Sequence, residues 1–472
     1  MIRSISIGHV KSFSAPQSLI LSQANGHHGS GYNAIVGANN SGKSTIVTLV
    51  RYLLSRDSTV TIGREGRREP EKPLIEVVWE HSNKTISEVR IDPDVVGAIF
   101  RKSGNHNGLA NQLRFVPSRR PFASEYNTGG IAPSDYEHSE LMNRMSNQSY
   151  FDSQLATSIA HYFVDPQNKA KFIEKLREVD PLSTEFSTDN LGGRNVMLYR
   201  GPSKRPHVLS DTGDGITNLI RIIFALVTSN PGDCLIIDEP ELSLHPQLQR
   251  NLYRMLMSYS HDRQIVVVTH SPHFVNWKEI SANSRLFRVY LNEDGNSIIA
   301  SPSKESFSAV KAHANVTSRK FYDAVCKELF FADAALLVEG SDDVHYLDNY
   351  LEATGQQPLP FMGYGCGGAS VIRSWMRLCL DLGIRCAAIF DGDKKSDYEK
   401  AMEEFKSEAA MARSFLLFKD DIRDKHKRDE ANSETKEILK IGVFNRKGQI
   451  HLENVDLLAS LLRQIREFLL PQ

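Results

Sequence analysis

An α/β chain made of two sheet-based units is predicted by three features of the sequence. A buried apolar run, YNAIVG, ends in a glycine-rich loop and is followed by the helix-patterned segment STIVTLVRYLLS. Between residues 208 and 300 the apolar runs CLIID and QIVVVT alternate with helical stretches; short, wholly apolar runs separated by helices are the pattern of parallel strands covered on both faces. A second series of the same kind opens with AALLVE at residue 334 and continues with CAAIF just before Asp391.

Taken in order, residues 1–36 read as strands, and 74–100 contain alternating runs such as LIEVVWE, the period of half-buried strands. A loop rich in Gly, Asn, Pro and Ser follows, then a charged helical insertion over about 137–180 that is too short and irregular for coiled-coil arms. The first unit is expected to close near residue 300. Residues 301–331 begin polar and become an apolar-striped helix, suiting a linker or dimerisation segment, and 332–472 form the second unit.

The chain has 472 residues, 40% apolar and 24% charged, enough for two catalytic units, and a net charge of −1. Near-neutrality excludes binding nucleic acid through bulk positive charge, so any basic surface must be local. Five scattered cysteines form neither a zinc pattern nor a disulfide framework, which points to a reducing, cytoplasmic setting. The N-terminal segment lacks the apolar core of a signal peptide, no run approaches the ~20 apolar residues of a membrane span, and a soluble protein without membrane partners is expected.

The glycine loop, Gly37-Ala-Asn39-Asn40-Ser-Gly42-Lys43-Ser44, fits the P-loop pattern in the strand-to-helix setting it requires. Glycines and the amides of Asn39, Asn40 and Thr45 would close around phosphates, Lys43 would reach the β/γ-phosphates of ATP, and Ser44 would hold Mg²⁺. After CLIID, Asp238 and Glu239 stand where open parallel sheets present ligands; Asp238 would orient Mg²⁺ and Glu239 polarise the attacking water. A solvated turn is the plain alternative for either motif alone. Three further segments accompany them: Leu209-Ser210-Asp-Thr-Gly213 before an apolar helix, Leu242-Ser-Leu-His245-Pro246, and His270 after QIVVVT. This order resembles the signature motif, D-loop and switch histidine of ABC-type ATPases, which implies that Ser210 and Gly213 bind nucleotide held by a second subunit and that His270 contacts its γ-phosphate. Gln112 is one candidate for the Q-loop glutamine. Arg119 and Arg120 are candidate phosphate or nucleic-acid contacts, although loop arginines are usually solvated surface.

In the second unit, Glu339-Gly340 ends one apolar strand, with Asp342 and Asp343 close behind, and Asp391-Gly-Asp393 ends another. These resemble the glutamate and Asp-x-Asp motifs of Toprim domains. Adjacent strands would gather Glu339, Asp391 and Asp393 into an oxygen cluster for Mg²⁺ or Mn²⁺, ions able to activate water and stabilise a leaving oxygen in phosphodiester cleavage. An EF-hand starting at Asp391 is set against by Ser396 and Met402 at its sixth and twelfth positions. Gly363-x-Gly365-x-x-Gly368 also fits a dinucleotide fingerprint, but the remaining chain is short for two mononucleotide halves. Late in the chain, Lys447 and Glu453 lie in a segment similar to one that completes such Toprim sites, while the charged run 419–437 reads as exposed surface.

The succession of motifs resembles the OLD (overcoming lysogenisation defect) family, an ABC-type P-loop ATPase with a helical insertion fused to a Rossmann-like Toprim domain, as in Gabija-type and retron-associated antiphage systems. The resemblance implies an ATP-regulated, divalent-metal-dependent nuclease acting on DNA, or on RNA such as tRNA. It also implies a homodimer or higher even oligomer formed through the ATPase, and a partner protein or retron RNA/DNA. Two other readings stand beside it: an ATPase sensor or scaffold that holds a toxic partner, and a DNA-repair ATPase.

Overall fold

The computed structural model describes residues 1–54, 59–61, 74–80, 86–91, 99–104, 112–117, 155–183, 185–191, 194–200, 206–208, 214–277, 280, 283–313, 324–426, 438–445 and 447–470. The chain divides into two compact units, Met1–Ile299 and Ala300–Gln472. Ser210, Gly213, Arg119, Arg120 and the insertion's first part, 137–154, lie outside the described residues.

In the first unit two six-stranded sheets enclose the helix Lys43–Leu54. One holds β1 (Ile2–Gly8), β2 (Gln17–Ile20) and β4 to β7 (Thr59–Thr61, Leu74–Glu80, Ile86–Ile91, Ile99–Gly104) in the order β2-β1-β5-β6-β7-β4. All of its strand pairings are antiparallel. In β5 every second residue is buried, so Ile75, Val77 and Trp79 face the core, as the alternation in LIEVVWE requires. The second sheet is built from β3 (Tyr32–Val36), β8 (Leu113–Val116), β12 (Cys234–Asp238), β13 (Gln264–Val268), β14 (Arg285–Leu291) and β15 (Ser297–Ala300), ordered β15-β14-β3-β13-β12-β8. Strands β14, β3, β13, β12 and β8 pair in parallel. β3, β12 and β13 are buried along their whole length, which is why they read as unbroken apolar runs.

Ile46, Val47 and Val50 of the helix Lys43–Leu54 pack between Ile5 and Val77 of one sheet and Ile236 and Val266 of the other. The helix Asp214–Val227 lies against β12 and β8, with the helix Pro166–Val179 stacked on it and on the helix Pro246–Tyr259. Strands β9 (Glu185–Leu191), β10 (Arg194–Arg200) and β11 (Pro206–Val208) form a separate antiparallel sheet in the order β11-β10-β9, and Phe186 of β9 meets Phe163 and Phe172 through ring centroids 5.3 to 5.9 Å apart. The helical part of the insertion is therefore a short packed layer, consistent with its broken period.

The second unit is a parallel sheet between helical layers. β16 (Ala334–Leu337), β17 (Arg385–Phe390) and β18 (Ala412–Leu416) run parallel in that order. One face, carrying Leu336, Val338, Ala387 and Ile389, packs on the helices Ser341–Ala353 and Val455–Leu469. The helix Ala369–Asp381 packs on β16 and β17, burying Trp375, Met376 and Cys379, with Cys386 of β17 beside the Met376 carbonyl. The helix Lys304–His313 packs within this unit against Ala369–Asp381, and the backbone N–H and hydroxyl of Ser303 both donate to Asp381. All five cysteines are buried and unpaired by disulfides, and no helix among the described residues is long and apolar enough to cross a membrane.

Candidate functional site

The first site gathers at the C-terminal ends of β3, β12 and β13. The P-loop makes its turn with positive φ at Gly37 (141°), Asn40 (61°) and Gly42 (108°). At Gly37 glycine is compulsory: a Cβ would stand 1.9 Å from the Val289 carbonyl oxygen. Lys43 is buried, and its ammonium donates to the carbonyls of Gly37 (2.9 Å) and Ala38 (2.6 Å). It thus lies across the phosphate cradle. Burial lowers its pKa to about 8, while Glu239, Asp238 and Glu241 act to raise it. Asn39 and Asn40 are exposed at the loop's outer turn, and Ser44 and Thr45 are half-buried in the first helical turn. An exposed outer turn and a buried lysine suit a group that takes phosphate oxygens from solvent.

Asp238 is buried at the end of β12, and Glu239 follows with φ +48°, its N–H donating to the Val268 carbonyl at 2.8 Å. His270, half-buried, follows β13. Gln112 takes no part here. It precedes β8, and its carbonyl accepts from Cys234 N–H at the start of β12, the far end of the sheet from Asp238. Four residues of strand separate the two ends by roughly 13 Å. That candidate is therefore corrected.

The second site lies at the C-terminal ends of β16, β17 and β18. Glu339 is half-buried, and one of its carboxylate oxygens accepts the Asp391 N–H at 3.2 Å, so the two strand-end residues meet. Two carboxylates not picked out as ligands from sequence join them. Asp343 caps the helix Ser341–Ala353 by accepting the Gly340 N–H at 2.7 Å, and Asp421, 3% exposed, follows β18. Burial first, then Asp343, Glu339 and Asp421, raise the Asp391 pKa to about 8. Burial also raises Asp343 to about 7, with Glu339 and Asp421 adding to the effect and the Gly340 hydrogen bond opposing it. Glu339 is raised by burial, offset in part by the Asp391 N–H and Lys394.

Asp393 pairs with lysines, while its charge still acts to raise Glu339. Ion pairs with Lys440 and, at 3.4 Å, with Lys394 hold its carboxyl below the usual range against a desolvation that would raise it. Lys425 pairs with Asp421, and Lys425 and Lys440 are cross-strand partners in the ribbon β19 (Lys425–His426) and β20 (Ile438–Lys440). Among the described residues no three His, Cys, Asp or Glu groups stand in ligating geometry. The donor set still suits a hard divalent ion, since mutual repulsion and burial of Glu339, Asp391 and Asp343 are what such an ion relieves. Glu453 is exposed and pairs with Lys419 at 2.7 Å, and Lys447 is exposed in a turn.

The glycine loop 363–368 serves this site and not a dinucleotide. The N–H groups of Gly367 and Gly368 donate to the Glu339 carbonyl at 2.8 and 2.9 Å, and that of Cys366 to Val338. Gly365, at φ +89°, leaves no room for a side chain, because a Cβ would stand 2.6 Å from Gly340 Cα. Amides occupied in this way hold the Glu339 turn in place. After Asp391 the chain forms a single turn, Gly392–Lys394, and the helix Lys395–Glu404, which is not a calcium loop.

Residues 112–276 match the family described as "AAA domain, putative AbiEii toxin, Type IV TA system", and residues 330–393 match "Overcoming lysogenization defect protein-like, TOPRIM domain". The two matches, an ATPase domain followed by a Toprim domain, stand in the order of the OLD-family architecture. It is 34% identical over 179 residues to an OLD nuclease of Thermus scotoductus, an alignment covering 36% of this chain and 33% of that protein. Two Endonuclease GajA proteins of Bacillus cereus align at 28% identity over 191 residues and 25% over 250, covering 34% and 49% of this chain. These alignments cover 27% and 41% of the GajA proteins, so the matched region spans well under half of each relative. The SMC head domain from Thermotoga maritima aligns at 16% identity and a TM-score of 0.37, over 64% of this chain and 99% of that one.

Proposed function

We propose that the chain is an ATP-regulated, divalent-metal-dependent nuclease of the OLD kind that cleaves phosphodiester bonds of DNA, or of RNA such as tRNA, in antiphage defence. The observation that carries this reading is the meeting of Glu339 and Asp391 at adjacent parallel strand ends, with the buried Asp343 and Asp421 beside them. Mg²⁺ or Mn²⁺ held there would supply Lewis acidity toward a phosphate and a more acidic bound water. Glu339 and Asp391 would hold the ion, Asp343 and Asp421 would share its charge, and Lys425 and Lys440 lie at the rim, where a nucleic-acid backbone would pass. Asp393, as placed, would have to leave Lys440 to join the ligands.

In the first unit Lys43 would turn from the Gly37 and Ala38 carbonyls to the phosphates of ATP, Ser44 and Asp238 would hold Mg²⁺, and Glu239 would polarise water. His270 would contact the γ-phosphate, and Ser210 and Gly213 would serve a nucleotide held by a second copy. A nucleotide shared in this way would call for a homodimer or a higher even assembly, which a defence-system partner would join.

The pairing of Asp393 with Lys440 favours a second reading, a nucleotide-driven sensor that holds a toxic partner and whose Toprim pocket is secondary. Incubating the purified protein with plasmid, linear DNA or tRNA, with Mg²⁺, Mn²⁺ or chelator and with or without ATP, separates the two. Metal-dependent cleavage modulated by ATP is expected; ATP turnover without cleavage of any of the three would favour the sensor.

A further inference from the structure

Glu241 lies outside the assigned hydrolytic residues, yet its side chain joins their two loops. Beyond Asp238 the chain folds into a compact turn: the Leu242 N–H donates to the Glu239 carbonyl (3.1 Å), the Leu244 N–H to the Glu241 carbonyl (2.9 Å), and Ser243 has φ +58°. From this turn the Glu241 carboxylate reaches the loop after β13. One oxygen accepts the Thr269 hydroxyl at 2.8 Å and the other accepts the His270 N–H at 2.6 Å.

The link closes into a ring. Thr269 Oγ1 accepts the Ser271 N–H (2.9 Å), the Ser271 hydroxyl donates to Gln249 Oε1 (2.6 Å), and Gln249 Nε2 donates to the Leu244 carbonyl (2.8 Å), back in the Glu239 turn. The far side of that turn is fixed too. Gly215, in the first turn of the helix Asp214–Val227, approaches so closely that a Cβ would stand 2.2 Å from the Ser243 carbonyl oxygen. A carboxylate that accepts one donor on each oxygen fixes two loops more tightly than a single bond would, because both distance and orientation are set.

We propose that Glu241 is a positioning residue for ATP hydrolysis: anchored in the turn that follows Glu239, it fixes His270 through the backbone N–H, so that the histidine stands where it acts with the general base. This rests on the reading of Glu239 and His270 as hydrolytic residues. It assigns Glu241 no contact with nucleotide; its effect passes through the backbone of His270.

The test is a double-substitution cycle on the full chain, with kcat and KM for ATP measured for Glu241→Ala, His270→Ala and the pair. Because loss of a positioning contact displaces a reacting group while the P-loop keeps its own hydrogen bonds, Glu241→Ala is expected to lower kcat by about 10²-fold and to change nucleotide affinity far less, through the Glu241 charge that acts on Lys43. Added to His270→Ala, it is expected to lower kcat no further. Glu241→Gln, which keeps the volume and one acceptor oxygen, is expected to fall between wild type and Glu241→Ala, and it gives the comparison if Glu241→Ala does not fold. Multiplying losses in the double variant, or an unchanged kcat in Glu241→Ala and Glu241→Gln alike, would overturn the inference while leaving the hydrolytic reading intact. Wild-type turnover by His270→Ala would overturn both.

Discussion

Replacing Asp391 by Asn removes one of the carboxylates crowded together at the second site, and the structure sets the size of the response. An unfolded aspartate titrates near 3.8 and Asp391 near 8. The folded chain therefore binds this proton more tightly, and the stability it provides is whole below about pH 4 and is lost as pH rises through about 8. Four pH units at about 1.4 kcal/mol each give a ceiling of about 6 kcal/mol. Burial is the largest cause of the shift, followed by repulsion from Asp343, Glu339 and Asp421, and replacing this one charge by a neutral amide is expected to relieve about 2–3 kcal/mol of it. For a unit of this size that corresponds to a Tm rise of about 4–12 °C. Thermal unfolding in chelator at about pH 5 and about pH 9 is expected to show wild type losing stability at the higher pH and Asp391→Asn losing much less. Added Mn²⁺ is expected to stabilise wild type, by about 2.7 kcal/mol at a hundredfold excess over Kd, and the variant little. An Asp391→Asn protein no more stable than wild type at the higher pH would refute the reasoning.

Lys43→Ala is expected to lose ATP binding, because the remaining amides of the loop supply no cation for the β/γ-phosphates; calorimetric titration with ATP checks this. Glu239→Gln is expected to keep binding and to lower single-turnover hydrolysis by about 10²–10⁴-fold, the usual worth of a general base. Gly365→Ala, which places a Cβ against Gly340 at a positive φ, is expected to cost about 1–3 kcal/mol and to displace Glu339; melting temperature and Mn²⁺ affinity would report the two effects.

Much of the first site was legible because parallel strands advertise themselves. β3, β12 and β13 are buried throughout, so the residues just beyond them, Gly37, Asp238, Glu239 and His270, stand out as polar groups at apolar strand ends. Glu339 and Asp391 followed by the same logic. The third member of that series was missed: SFLLF leads from β18 to the buried Asp421, but the charge of the run 419–437 concealed it, although a strand end followed by carboxylates was the available signal. Within that run Asp421 and Asp424 are buried, which corrects the expectation of a wholly exposed surface for its described part; residues 427–437 lie outside the described residues. Asp343 was placed by a helix cap, a tertiary detail that spacing does not carry. Asp393 stands two residues after Asp391, and the ion pair it makes with Lys440, a partner 47 residues away, is a contact that spacing does not carry. Glu241 gave no signal of its own in sequence, since its role depends on the distance between two loops.

The central claim is that ATP turnover and nucleic-acid cleavage reside in different carboxylate sites of one chain. The most direct measurement follows both reactions in the same samples of wild type, Glu339→Ala and Asp391→Ala, with Mg²⁺ or Mn²⁺, ATP and a DNA or tRNA substrate. Loss of cleavage in both variants with ATP turnover largely retained is the result predicted. Full cleavage by both would contradict the account.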